Sequence, residues 1–400
     1  MKKGAAKAAA LVALALVSAG LGTDRHFDPH DPSGPESLLV RTFQAIREER
    51  LDQALAHVDS LVQKEPGFRL AHMVRGDIFA AQAGKGPTLV ARNDSEKIRL
   101  DGLRDEARVR LQRYIASPPR DLLPVWLLTP SQRARQVLVV DSRASRIYVF
   151  RPQGMEWRLA SDHYVTIGQK GYDKKLEGDG RTPLGAYFLT RRVDDSEIDD
   201  YYGRSAWPLD YPNEWDLVRQ RKGSGIWIHG TPKGTYSRAP RSSNGCIVLT
   251  NPDLTNLEAG FVPKATAVLV SDTIEWVSPA ELDRRRDELV DVVGRWKKSW
   301  AANDMDSYLA LYADDFQFAK GGKSEWVQDK RRVAQGKTWI RIELSDVSIL
   351  GVPGETNLVQ MDFQQDYASN NLSSVSRKRI YWRLSEGTWK IVWEGPPAIP

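Results

Sequence analysis

The spacing of hydrophobic residues changes three times along the sequence, and no single fold accommodates all of the resulting patterns. From Glu36 to about Ile115 the period is helical, whereas residues 133–275 alternate with a period of two. A helical pattern returns after Pro279 and is followed by further alternating segments. Because 400 residues also exceed the usual size of one compact domain, the sequence predicts a multidomain α+β protein.

The first region, residues 36–130, is predicted to be helical. Its segments LDQALAHVDSLVQKEP and AHMVRGDIFAAQAG resemble one tetratricopeptide-like helix pair. One or two such units cannot bury the core of a solenoid, which needs at least about three repeats. We therefore predict a helical layer that packs on the next domain, with a proline-rich boundary at 118–130.

The N-terminal segment, residues 1–22, has a basic start, an apolar run from Ala8 and small residues near Ala19. This layout predicts a secretory signal peptide, with an uncleaved anchor as the alternative. The polar, proline-rich residues 23–35 predict a linker. We therefore expect a periplasmic or secreted protein. The net charge of +5 includes three lysines of the N-terminal segment, so the nearly neutral remainder gives no indication of a nucleic-acid partner.

The sequence contains one cysteine, Cys246, in the segment SSNGCIVL. Structural cysteines of exported proteins usually pair as disulfides, so a single one is either a reactive thiol or an inert buried residue. His229 lies seventeen residues earlier, at the end of the predicted strand in GIWIHGTP. A thiol is a weak nucleophile until it loses its proton, which an adjacent imidazole can accept. The pair therefore suggests cysteine nucleophilic catalysis.

Neighbouring residues suit the same chemistry. Gly245 permits a backbone turn that directs main-chain N–H groups at an oxyanion, and Ser243 could hydrogen-bond the imidazole. Apart from His163, which lies in a predicted strand, no other histidine or cysteine is near. We therefore predict neither a metal nor a cofactor.

HGTP and SSNGCIVL together resemble the signature of the L,D-transpeptidase catalytic domain of the YkuD type. EGDGRTPLGAYFL at 177–189 is similar to a strand entry of that family, and VLVVDSRASRIYVF to its first strands. The resemblance covers about 135–275 and implies a mostly-β catalytic domain over 133–275. Many members have arginine two residues after the cysteine, where this sequence has Val248. That departure resembles the subgroup containing a cell-shape-determining L,D-carboxypeptidase.

The resemblance implies action on peptidoglycan stem peptides through a thioester. Cys246 would attack the carbonyl that joins the third-position diamino acid to D-Ala, and His229 would be the general base. Ser243 would orient His229, while N–H groups of Gly245 and Cys246 would hold the oxyanion. Further substrate contacts are expected from three residues of the two motifs: Gly230, Thr231 and Asn244.

The acceptor of the acyl group stays open. An amine of another stem peptide gives a 3-3 cross-link, which is the leading prediction. Water gives a trimmed tripeptide, the product of an L,D-carboxypeptidase. A lysine of a wall-anchored lipoprotein gives attachment of the lipoprotein, and the reverse reaction is that of an amidase that releases it. The non-enzymatic alternative is a scaffold that binds the wall or other wall-synthesis proteins.

The C-terminal region, residues 282–396, resembles an NTF2-like α+β cone. The helical pattern runs from Glu281 to Phe316, and WRLSEGTWKIVWEG resembles the last hairpin of the cone. Such a cone can hold a ligand pocket, although its tryptophans equally suit an ordinary core, and no catalytic set is evident. One face of the helical pattern is apolar and predicted to be buried: Leu282, Leu289, Val292, Val293, Trp296 and Trp300.

Overall fold

The computed structural model describes residues 34–86, 91–119, 121–193 and 195–397. The predicted signal peptide, 1–22, lies outside these residues, as does all of the predicted linker except Gly34 and Pro35. In the part of the chain that is described, no helix combines the length and the apolar character needed to cross a membrane.

The N-terminal region is helical, as predicted, and its apolar faces enclose a core around Phe43, Val58 and Phe68. The two segments that resemble a tetratricopeptide pair correspond to the second and third helices. The helices are α1 Pro35–Arg47, α2 Leu51–Lys64, α3 Arg69–Gln82 and α4 Asp94–Ile115.

These helices pack on the central β domain through charged and aromatic contacts. Arg113 donates from Nε and Nη2 to the two carboxylate oxygens of Asp162, at 2.8 and 2.5 Å. Ser237 Oγ donates to the buried Glu106 carboxylate at 2.7 Å. The rings of Phe68 and Tyr236 lie 4.5 Å apart. The helical layer therefore supports the loop that follows His229.

The central domain consists of short strands and two short helices, with a five-stranded sheet in the order β4-β3-β2-β11-β6 and a three-stranded sheet in the order β10-β8-β7. β5 pairs with β9, and β1 with β12. The strands are β1 Leu123–Pro124, β2 Val137–Asp141, β3 Arg146–Gln153, β4 Glu156–Tyr164, β5 Ile167–Gly168, β6 Gly185–Phe188, β7 Ala206–Pro208, β8 Trp227–His229, β9 Arg241–Ser243, β10 Ile247–Val248, β11 Ala267–Ser271 and β12 Trp276–Val277. The α-helices are α5 Glu214–Val218 and α6 Asn251–Glu258, and short 3-10 helices span Asp195–Glu197 and Asp200–Tyr202.

The five-stranded sheet is covered on both faces. Its first two strands form the predicted antiparallel hairpin, in which Val140 pairs with Ile147. Side chains alternate between the faces of a strand. Val140 packs in the core with Ile228 and Ile247 of the three-stranded sheet, whereas Val139 lies in the core that contains Trp393 of the C-terminal domain. This double coverage explains why every residue of β2 is buried.

The C-terminal domain is the predicted α+β cone, built on a six-stranded sheet in the order β14-β13-β18-β17-β16-β15. Its predicted apolar helix face is buried at Leu282, Leu289, Val292, Trp296 and Trp300, with Val293 partly buried. The elements are α7 Pro279–Ala301, α8 Met305–Leu309, β13 Tyr312–Phe318, β14 Gly321–Gly322, α9 Lys323–Ala334, β15 Ile340–Gly351, β16 Leu358–Ser369, β17 Leu372–Ser385 and β18 Thr388–Gly395.

The long helical pattern predicted to reach Phe316 was wrong in its second half. The helix ends at Ala301, because Asn303 adopts a left-handed conformation with φ 59°. Asp304 then caps α8 by accepting a hydrogen bond from the Ser307 N–H at 3.1 Å. Residues 312–316 belong to β13.

A buried ionic cluster joins the C-terminal domain to the central domain. Arg379 of β17 donates to Asp362 on the neighbouring strand at 2.9 Å. Across the interface it donates to Glu214 at 2.7 Å and to Asp210 at 3.2 Å. Burial raises the pKa of Asp210 to about 7 in spite of the adjacent guanidinium. One cation thus compensates three buried carboxyl groups.

Arg379→Met should lower the free energy of unfolding by about 3–5 kcal/mol, because it leaves buried carboxyl groups without their cation. Urea unfolding followed by tryptophan fluorescence measures the loss. Arg383→Gln is the matched control on the same strand, since its ion pair with Asp315 is exposed and worth less than about 1 kcal/mol. Equal losses in the two variants would contradict the role given to Arg379.

Candidate active site

Cys246 and His229 lie on neighbouring strands, Cys246 just before the start of β10 and His229 at the end of β8. β8 and β10 are parallel, and His229 is the register partner of Val248. Cys246 precedes Val248 by two residues, and side chains two residues apart along an extended chain share a face. Cys246 and His229 therefore project from the same face of the three-stranded sheet.

His229 is buried and held by backbone carbonyl groups. Its Nδ1 lies 2.7 Å from the carbonyl oxygen of Gly230, which fixes Nδ1 as the protonated nitrogen and leaves the lone pair on Nε2. Burial, assisted by the charge of Arg238, lowers the pKa of His229 to about 4. The imidazole is therefore neutral near pH 7 and able to accept a proton.

Cys246 is partly exposed and its thiol is a free cysteine. Sγ lies 3.4 Å from the carbonyl oxygen of Gly225. Burial raises the pKa of the thiol, although a hydrogen bond from the Trp227 backbone and the charge of Arg238 act in the opposite direction. At neutral pH the resting thiol therefore keeps its proton, and reaction requires a base.

Tyr202 is a common neighbour of the two residues. Its ring centroid lies 5.1 Å from that of His229 in an edge-on contact. Burial raises the pKa of Tyr202, and so does the charge of Cys246. Its carbonyl oxygen also accepts the Gly230 N–H at 3.0 Å. Tyr202 therefore holds the strand end that carries His229.

Ser243 and Gly245 hold the cysteine loop together instead of taking the contacts predicted for them. Ser243 Oγ donates to the carbonyl oxygen of Cys246 at 2.6 Å and accepts the Gly245 N–H at 3.1 Å. The hydroxyl is thus engaged within its own turn and does not orient His229. Because the Gly245 N–H is already used, the Cys246 N–H is the remaining candidate of the two for an oxyanion.

Gly245 is required by its conformation. Its φ is +122°, and a Cβ atom there would lie 2.6 Å from the carbonyl oxygen of Arg181. A side chain at this position would therefore displace the Cys246 loop from the strand entry at 177–189.

The three predicted substrate contacts differ in their surroundings. Gly230 uses its carbonyl for His229 and its N–H for Tyr202, so it positions the base. Thr231 is buried, and its hydroxyl donates to the carbonyl of Thr235 at 2.6 Å, which turns it away from a substrate. Asn244 is exposed beside Cys246 and accepts a hydrogen bond from Gln169 at 3.2 Å. Asn244 alone of the three presents its side chain at the surface.

Thr182 is a site residue that the sequence analysis did not assign. Its buried hydroxyl donates to the Gly245 carbonyl at 2.9 Å and accepts the Gly168 N–H at 2.9 Å. The signal was present in the segment EGDGRTPLG. Asp179 of the same segment accepts hydrogen bonds from the N–H groups of Lys175, Leu176 and Arg181 at 2.8–3.1 Å. This segment is therefore a rigid support for the cysteine loop.

Thr182→Val should lower kcat by about 10-fold or more while the fold persists, because the isosteric side chain removes both hydrogen bonds that position the Gly245 turn. Turnover and thermal unfolding of the variant test this expectation. Thr190→Val is the control, since the Thr190 hydroxyl donates to Pro208 instead. Equal kcat values for wild type and Thr182→Val would contradict the positioning role.

The C-terminal cone holds a cavity of about 210 Å³. Trp300, Tyr367, Lys330 and Gln365 are among the residues that line it. Burial lowers the pKa of Lys330 to about 8. Some aromatic residues of the C-terminal domain therefore line this pocket, and others lie in the hydrophobic core of the domain. Among all the residues that the structure describes, no group of three histidine, cysteine or carboxylate side chains is placed to hold a metal ion.

Two known protein families match the chain, one over the central domain and one over the C-terminal domain. Residues 135–270 match the sequence model of the L,D-transpeptidase catalytic domain, YkuD. Residues 288–395 match the Cds6 C-terminal NTF2-like domain. A search of the curated proteins finds no match. The chain therefore carries an L,D-transpeptidase catalytic domain followed by an NTF2-like domain, and the first of these supports a peptidoglycan-acting enzyme.

Two solved structures resemble the chain over about two thirds of its length. Bd1075 of Bdellovibrio bacteriovorus is 29% identical, with a TM-score of 0.60 over 69% of this chain and 98% of Bd1075. Pgp2 of Campylobacter jejuni, described as a helical cell shape determining protein, is 26% identical. Its TM-score is 0.57 over 68% of this chain and 95% of Pgp2.

Proposed function

We propose that the protein is an exported cysteine acyltransferase that cleaves peptidoglycan stem peptides between the third-position diamino acid and D-Ala. The observation that carries this proposal is the placement of Cys246 and His229 on one face of two paired strands, within a domain that matches the L,D-transpeptidase model. Water is proposed as the main acceptor, so that the enzyme trims tetrapeptides and thereby contributes to cell shape.

The mechanism starts from a neutral pair. His229 Nε2 accepts the thiol proton as Cys246 Sγ attacks the scissile carbonyl carbon, and the resulting oxyanion lies toward the Cys246 N–H. The C–N bond then breaks, and the D-Ala amine leaves with the proton held on Nε2. The acyl group remains on Sγ as a thioester.

The second half of the reaction reverses the proton transfers. Nε2 takes a proton from the acceptor, which attacks the thioester carbon, and the Sγ–C bond breaks with return of that proton to sulfur. Throughout, the Gly230 carbonyl keeps hold of Nδ1–H, so the same nitrogen acts as base and acid.

Two observations support water as the acceptor. Val248 is buried and paired with His229, so the position that is arginine in many L,D-transpeptidases offers no cation here. The chain also resembles Pgp2, a cell shape determining protein, over nearly all of that protein's length. Transpeptidation to a stem-peptide amine is the second candidate, because the catalytic domain itself matches the L,D-transpeptidase model.

Incubation of the purified protein with disaccharide-tetrapeptide, followed by separation of the products, tests the proposal. Tripeptide and free D-Ala as the main products would support hydrolysis. A 3-3 linked dimer as the main product would overturn water as the acceptor but retain the acyl transfer. No release of D-Ala under any condition would contradict the enzymatic function and favour a wall-binding scaffold.

Export through residues 1–22 is part of the proposal and has its own test. Fractionation of cells that express the full chain should place the protein outside the cytosol, and removal of residues 1–22 should retain it inside. Recovery of the full chain in the cytosol would contradict export.

A further inference from the structure

Arg238 lies on the loop that follows His229, and its guanidinium stacks on the ring of Tyr201. The Cζ atom of Arg238 is 4.2 Å from the ring centroid of Tyr201, and Nη2 donates to the Tyr201 carbonyl at 3.0 Å. The ring of Tyr201 is in turn 6.1 Å from the ring of His229. The distance from Arg238 Cζ to the centre of the His229 ring is therefore at most the sum of these two distances.

The backbone of Arg238 is fixed from two sides. Its carbonyl oxygen accepts hydrogen bonds from the Tyr164 hydroxyl at 2.7 Å and the Thr166 hydroxyl at 3.1 Å. The preceding residue, Ser237, is tied to Glu106 of the helical layer. The stack on Tyr201 then orients the side chain, so the cation is positioned before any substrate arrives.

Arg238 differs from the other cation near the nucleophile in having no carboxylate partner. The charges of both Arg238 and Lys174 act on Cys246. Lys174 Nζ is bound to Asp179 at 2.9 Å and to the Leu176 carbonyl at 2.8 Å. In the described parts of the chain, no carboxylate forms an ion pair with Arg238, and its Nε and Nη1 groups have no hydrogen-bond acceptor. A partly buried guanidinium with free donors is suited to an anionic ligand.

We propose that Arg238 binds the terminal carboxylate of the residue that leaves during the reaction, and so restricts the enzyme to peptides that end one residue beyond the scissile bond. This inference rests on the proposed cleavage at a terminal D-Ala. In such a substrate the carboxylate carbon is three bonds from the scissile carbonyl carbon, within about 4 Å. A cation near the nucleophile is therefore within the region where it can pair with this carboxylate.

The position of Arg238 also explains how the site can have Val248 where many L,D-transpeptidases have arginine. A cation two residues after the cysteine would extend from β10, whereas Arg238 approaches from the loop after β8. The substrate carboxylate can thus be recognised without an arginine on the cysteine strand. Specificity for a free carboxylate follows, because a substrate without it offers the guanidinium no anionic partner.

The test compares disaccharide-tetrapeptide with the same compound amidated at its terminal carboxylate. Binding of each is measured by calorimetry on the Cys246→Ala protein, and release of the terminal residue is measured on proteins that retain Cys246. The series contains Arg238→Gln, Arg238→Lys and, as matched control, Arg241→Gln, which changes an exposed arginine of β9. We expect the unaltered site to prefer the free acid by at least about 10-fold.

In Arg238→Gln the ratio between acid and amide should fall to about one, in Arg238→Lys it should be partly restored, and in Arg241→Gln it should be unchanged. The ratio separates carboxylate recognition from a general disturbance of the loop, which would weaken both compounds equally. A preference that persists in Arg238→Gln, or no preference in the unaltered site, overturns the inference. Selective binding without any turnover would instead contradict the proposed function and keep the role of Arg238, and absence of both binding and turnover would overturn both.

Discussion

Cys246→Ala should abolish turnover, with a loss of at least about 10⁴-fold, and should leave the fold intact. The thiol is partly exposed and its removal deletes a single sulfur atom, so little packing is lost. Without the nucleophile the thioester cannot form, so any remaining turnover is due to the other polar groups of the site. Release of D-Ala from disaccharide-tetrapeptide measures the loss, and thermal unfolding confirms that the variant is folded.

Intact-protein mass spectrometry after incubation with a carbapenem provides the independent measurement. One adduct is expected on the wild type and none on Cys246→Ala, because the acyl group is carried by Sγ. An adduct that survives in the variant would remove Cys246 from its role. Iodoacetamide is a poorer reagent for this purpose, since burial raises the pKa of the thiol and slows alkylation of the free enzyme at neutral pH.

His229→Ala should lower kcat/KM by at least about 100-fold, the scale of a positioned general base. His163→Ala is the matched control, because its ring contacts Asp253 at 2.9 Å and Ser161 at 3.0 Å, and neither of these is part of the catalytic pair. Equal losses in the two variants would mean that His229 is not the base or that both residues belong to the site.

The pH profile gives the same residue a second signature. Burial lowers the pKa of His229 to about 4, so the imidazole becomes a proton acceptor only above that value. In the wild type, kcat/KM should therefore fall as the pH drops through about 4, and this acidic limb should be absent from His229→Ala. An acidic limb that is unchanged in the variant would assign the titration to another group.

The strand positions and the candidate catalytic pair could be predicted from the sequence, because each depends on local pattern. Val137 to Asp141 alternates and is followed by turn residues, so the hairpin with β3 could be predicted directly. Cys246 and His229 stood out because they are chemically distinctive, and His229 lies at a predicted strand end. The matches at 135–270 and 288–395 confirm the resemblance to the two domain families.

The hydrogen-bond partners within the site were not accessible in the same way. A serine hydroxyl can satisfy either a distant ring or the backbone of its own turn, and local backbone acceptors compete effectively. For Ser243 the nearby carbonyl of Cys246 is the partner, which only the turn conformation at Gly245 reveals. Arg238 was missed for a related reason, since a charged residue in a polar loop has no pattern that tells its orientation.

The early end of the helix at Ala301 shows a third limit of sequence reasoning. The apolar spacing from Leu282 to Trp300 is continuous with that of Tyr308 and Tyr312, so periodicity alone predicts one long helix. The break depends on Asn303, whose side chain donates to the carbonyl of Ala334 at 3.2 Å. That acceptor is remote in sequence, so the break of the helix depends on a tertiary contact.

The five-stranded sheet with two covered faces has a consequence for the order in which the chain can fold. Its strand β2 pairs in parallel with β11, and Val139 on one face packs in a core completed by Tyr381 and Trp393 near the end of the chain. During synthesis this face lacks the cover of Tyr381 and Trp393 until β17 and β18 have left the ribosome. We therefore expect the nascent protein to depend on chaperones until β18 has emerged, and its β2 amide hydrogens to be among the last to exchange with deuterium once it has folded.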